Sequence, residues 1–90
     1  MQLMNIEISN IHLNVIESDL RRLFTPFGEV RDVELLRDKW NNRSTGRALV
    51  NMPVDKQAQA AIVGLNGTML SGKAIMVIQS SSALSNDEYR

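Results

Sequence analysis

At 90 residues, 43% of them hydrophobic and 22% charged, the chain has the length of one domain and no room for a second. Ten Lys and Arg balance ten Asp and Glu, so general attraction to polyanions is not expected, and the absence of cysteine excludes disulfides, thiolate metal sites and cysteine nucleophiles. A domain this small buries only about two-thirds of its unfolded surface, which argues against a large catalytic cleft.

The opening MQLMNIEISN lacks a basic segment followed by a long apolar core, and no run approaches the roughly eighteen apolar residues of a membrane span, so a soluble, cytoplasmic chain without membrane contact is expected. Met4–Ser9 alternates Ile6 and Ile8 with Asn5, Glu7 and Ser9, as a half-buried strand does. Asn14 with Glu17 has the form of a capping box, and Leu20, Leu23, Phe24 and Phe27 then recur at i, i+3, i+4, i+7, which predicts a helix closed by Pro26 and Gly28.

Val30–Arg37 predicts a second strand with Val33 and Leu35 on one face and Glu34 and Leu36 on the other. Asp38–Gly46 reads as a loop and Arg47–Met52 as a third strand, ended by Pro53, which has no amide to donate. Asp55–Leu65 places Ala58, Ala61, Ile62 and Leu65 at helical core spacing. The chain turns through NGTMLSGK, Ala74–Gln79 forms the last strand, and the polar residues 80–90 read as a flexible tail after a domain spanning 1–79.

The order strand, helix, strand, strand, helix, strand is the split βαβ arrangement: an α+β, ferredoxin-like sandwich with both helices on one face of a four-stranded antiparallel sheet and the other face open. Its expected core is Ile6, Ile8, Leu20, Phe24, Phe27, Val33, Leu35, Val50, Ile62, Leu65, Ile75 and Val77. Charge is uneven along this chain. Between Arg37 and Arg47, Arg37, Lys39, Arg43 and Arg47 stand against the single acid Asp38, which makes the segment a candidate phosphate-binding loop or, equally, an ordinary solvated one.

The segments DLRRLFTPFGEV (Asp19–Val30) and LNGTMLSGKAIMV (Leu65–Val77) resemble the first helix and the approach to the last strand of RNA-recognition motif domains, especially the small single-domain bacterial kind; the likeness runs from about Met4 to Gln79. The resemblance implies RNA binding, with aromatic side chains on the first and third strands stacking on bases. Here the pattern departs. Aligned on the longer ribonucleoprotein motif, Thr45–Met52 keeps Gly46, Ala48 and Val50, but the stacking positions hold Arg47 and Leu49, and in the shorter motif Glu7 replaces the aromatic.

Two functions follow. The first is weak, non-catalytic binding of single-stranded RNA through Arg37, Lys39, Trp40, Arg43, Arg47, Leu49, Glu7 and Asn51. In that reading Trp40 is a stacking platform among cations, and Arg47 offers a planar guanidinium for which Glu7 competes. The second is a protein-interaction or homodimer surface made of Leu36, Leu49, Met76 and Ile78, or a tail contact through Ala83 and Leu84. No cofactor or metal is expected. GTMLSGKA (Gly67–Ala74) misses the hydroxyl of a phosphate loop at Ala74, and His12 has no partner imidazole or thiol for zinc or triad chemistry.

Overall fold

The computed structural model describes residues 4–80. The first strand, β1 (Met4–Ser9), buries Ile6 and Ile8 completely. A first helix, α1 (Glu17–Phe24), runs into a short 3-10 turn at Thr25–Phe27, because Pro26 has no amide with which to continue the α ladder. Helix α1 begins at Glu17, later than the expected Asn14 cap. The Asn14 amide donates to His12 Nδ1 and the Val15 amide to the His12 carbonyl, so residues 12–15 close a turn of their own. Asp19 Oδ2 then accepts from the Ile16 amide at 3.1 Å. Burial of Ile11 and Val15, each 1% exposed, draws this segment into the core and sets the later start.

β2 (Asp32–Arg37) and β3 (Ser44–Met52) form a hairpin, α2 (Asp55–Leu65) follows, and β6 (Met76–Ser80) completes a four-stranded antiparallel sheet of order β2-β3-β1-β6. The third strand starts three residues before the expected Arg47. Thr45 Oγ1 donates to the Leu36 carbonyl, and a register shift between Leu35 and Arg37 carries the pairing on to Ser44. A small hairpin, β4 (Met69–Leu70) with β5 (Lys73–Ala74), occupies the segment read as a simple turn. It leaves the sheet strand to start at Met76, since Ile75 exchanges backbone bonds with Gly67 and Thr68 instead.

Helix α1 packs against β2, and α2 against β1, β3 and β6. Ile6, Ile8, Leu20, Phe24, Leu35, Val50, Leu65, Ile75 and Val77 are buried as expected, with Phe27, Val33 and Ile62 partly buried against them. Ile11, Val15, Ala48, Met52, Ala58 and Ala61 complete the core. The Phe27 ring lies over Gly64 of α2, where an added Cβ would sit 2.8 Å from ring carbons.

Gly46 takes φ +84, and its carbonyl accepts from the Ile11 amide at 3.0 Å. An alanine there would adopt a left-handed conformation costing about 1–2 kcal/mol, with its Cβ 3.3 Å from the Ile11 carbonyl oxygen. Gly46→Ala therefore lowers the urea unfolding free energy by about that amount; an unchanged midpoint would show that the backbone relaxes freely here.

Candidate nucleic-acid interface

Side chains alternate along the strands, so burying Ile6, Ile8, Ala48, Val50 and Val77 turns Asn5, Glu7, Ser9, Arg47, Leu49, Asn51, Met76 and Ile78 to the open face. The register then sets their neighbours. Glu7 lies between Leu49 of β3 and Ile78 of β6, and Leu49 faces Glu34 of β2 on its other side. One row further along the strands, Asp32, Asn51, Asn5 and Ser80 follow one another across the sheet.

Arg47 Nη2 donates to Glu7 Oε2 across adjacent strands, the pairing that the sequence raised. The guanidinium side chain keeps 55% exposure while the carboxylate is only 23% exposed. Arg47 is thus available to a ligand only in competition with its own neighbour. Asn51 is buried at 4% exposure, with Nδ2 donating to Asn5 Oδ1 at 3.0 Å and its carbonyl accepting from the Arg31 amide. This packing orders the sheet surface at β1 and β3 and leaves Asn51 little area for a ligand.

The β2–β3 hairpin tip is organised by Asp38. Its amide donates to the Arg43 carbonyl and its carbonyl accepts from the Asn42 amide, both at 2.7 Å. Its side-chain Oδ1 accepts from the amides of Trp40 at 2.7 Å and Asn41 at 3.3 Å. Asn42, at φ 59, supplies the left-handed residue of the turn. The result is a hydrogen-bonded tip from which Trp40 projects at 89% exposure, with Lys39 and Arg43 also exposed. An indole standing in water on a turn that carries two cations is a surface on which a base can stack while phosphates are neutralised.

Arg37 is placed differently from the other cations of its segment. Its Nη2 lies 3.3 Å from Glu17 Oε1, at the first turn of α1, which draws this cation towards the helical layer. Of the proposed apolar patch, Met76 and Ile78 are 56% and 49% exposed, whereas Leu36 and Leu49 are half-buried. The suggested contact with Ala83 and Leu84 lies outside the described residues.

The open face also holds a depression of about 220 Å³, lined by Asn5, Asp32, Val33, Glu34, Leu49 and Asn51. Asn5 and Asp32 were not singled out from the sequence, because only the cross-strand register brings them beside Leu49 and Asn51. Among the described residues there is no group of three or more His, Asp or Glu side chains placed to hold a metal ion, and no helix is long and apolar enough to cross a membrane.

The sequence matches the family model of the RNA recognition motif over residues 6–76. The chain belongs to that family. As an RNA-recognition motif domain it is 36% identical over 74 residues to "Putative RNA-binding protein RbpD" of Nostoc sp., a match covering 82% of this chain and 79% of the relative. It is 31% identical over 74 residues to the human "Probable RNA-binding protein 23", of which it spans only 17%. Among solved structures, RNA binding protein PG1 superposes with a TM-score of 0.83 at 30% identity, over 94% of this chain and 99% of that one. Among the described residues, no strand of this family member carries an aromatic side chain: Phe24 and Phe27 lie on the helical side and Trp40 at the hairpin tip.

Proposed function

We propose that this domain binds single-stranded RNA without catalysis or cofactor, acting in the cytoplasm, and that the binding unit runs through Ser80, the last residue of β6 and one beyond the expected 1–79, with 81–90 as an appended tail. The hairpin tip at Lys39, Trp40 and Arg43 makes the main contact and Arg47 the second. The observation carrying this reading is the indole of Trp40, 89% exposed on a hydrogen-bonded turn that also carries the exposed Lys39 and Arg43. Membership of the RNA recognition motif family and relatives named as RNA-binding proteins support it.

Binding is weak for the family, because Glu7, Arg47 and Leu49 stand where stacking aromatics are expected, and each base–aromatic stack contributes roughly 1–3 kcal/mol. Titration of labelled mixed-sequence RNA, followed by amide NMR and tryptophan fluorescence, tests the proposal. Amides 38–43 and Trp40 respond, and affinity falls steeply with salt as condensed counterions are released. If neither responds at low salt and high protein concentration, the RNA reading is abandoned.

A second reading is favoured by Met76 and Ile78, about half-exposed on the sheet edge strand. It makes the sheet face a site for a protein partner or a second copy. A partner seated there would have to cover the Glu7–Arg47 pair beside Ile78, and desolvating an ion pair is costly. Light scattering that shows a salt-insensitive dimer would favour this reading over the first.

A further inference from the structure

The acidic side of the open face is at odds with a surface that only neutralises phosphate. Asp32 and Glu34 are both exposed on β2, and among the described residues neither carboxylate has a hydrogen-bond or ion-pair partner. Both line the depression whose apolar lining is Leu49 and Val33, and Glu34 is directly opposite Leu49 in the β2–β3 register. Side chains so paired have Cβ atoms about 4.5–5.5 Å apart, so a planar group resting on Leu49 presents its edge to the Glu34 carboxylate.

A carboxylate only accepts hydrogen bonds and repels phosphate oxygens. The part of a nucleotide that fits here is therefore a base edge rich in donors. Guanine offers two adjacent donors, N1–H and the N2 amine, which match the two oxygens of a carboxylate as a guanidinium does. Adenine and cytosine place one amine beside an acceptor nitrogen, and uracil sets its single N–H between two carbonyls that a carboxylate repels.

We propose that the depression between β2, β3 and β1 selects guanine over uracil in single-stranded RNA, with Glu34 as the specificity-determining residue. The inference rests on the RNA reading above. Phosphates are held at Lys39, Arg43 and Arg47, while the acidic side reads the base.

The test uses short single-stranded RNAs identical except for one central nucleotide. The guanine form binds about tenfold more tightly than the uracil form, as a bidentate base contact allows. Inosine, which lacks the N2 amine, falls between them, and amides 32–34 and 49–51 shift on adding the guanine form. Glu34→Gln brings the guanine-to-uracil ratio close to one. The ratio is the readout because removing a negative charge strengthens binding of every RNA. Equal affinities for all four nucleotides with Trp40 still responding would overturn the guanine inference and leave the RNA reading standing. Silence of Trp40 and of every amide would overturn both.

Discussion

Truncating Phe24 to alanine lowers the unfolding free energy by about 3–5 kcal/mol, the usual cost of emptying a fully buried aromatic site. Phe24 is 0% exposed at the last residue of α1, where the helix gives way to the Thr25–Phe27 turn. Its ring belongs to the same core as Ile6, Ile8 and Val50 of the sheet and Ala58 and Ala61 of α2, so the cavity would open at the junction of both layers. Domains are stable by only about 5–15 kcal/mol, so the loss removes a large share of the total. Urea unfolding followed by far-ultraviolet circular dichroism measures it. A loss below about 1 kcal/mol would mean that the surrounding side chains collapse into the space and that the two layers pack less closely than the full burial of Phe24 implies.

Trp40→Ala weakens binding of mixed-sequence RNA by about 1–3 kcal/mol, the largest effect expected from any single change at the interface. Stability should barely change, because a side chain 89% exposed contributes little to the fold. Neutralising Lys39 and Arg43 together acts differently: affinity falls for all sequences, and the slope of affinity against salt flattens by about one to two units. Glu7→Gln moves the other way. It releases Arg47 from an ion pair between partly exposed groups, and such pairs are worth about 0.2–1 kcal/mol, so affinity rises up to about fivefold. Leu49→Ala costs less than Trp40→Ala. Against a protein partner on the sheet face the ranking reverses, with Leu49 and Met76 dominant and the hairpin tip nearly silent.

The sequence by itself determined the order of the six main elements, the helix of α2 from Asp55 to Leu65 and most of the core. These depend on local periodicity: Ile6 and Ile8 two residues apart, and Leu20 and Phe24 four apart, can meet a core only as strand and helix. The basic hairpin was visible as charge, and the Glu7–Arg47 pair followed from alternation once the strands carrying them were taken as neighbours. The start of α1 was not visible, because burial of Ile11 and Val15 outweighs a local capping pattern. Nor was the β4–β5 hairpin, whose strands are two residues long and too short to show a period.

What only the tertiary structure decided is how residues distant in sequence share the surface. The register places Asp32 and Glu34 beside Asn51 and Leu49, and the packing of α1 against β2 gives Arg37 a partner in Glu17. Both arrangements depend on which strands pair and on where the helices lie. Long-range burial selects these, and a one-residue slip would turn every side chain of a strand to the opposite face.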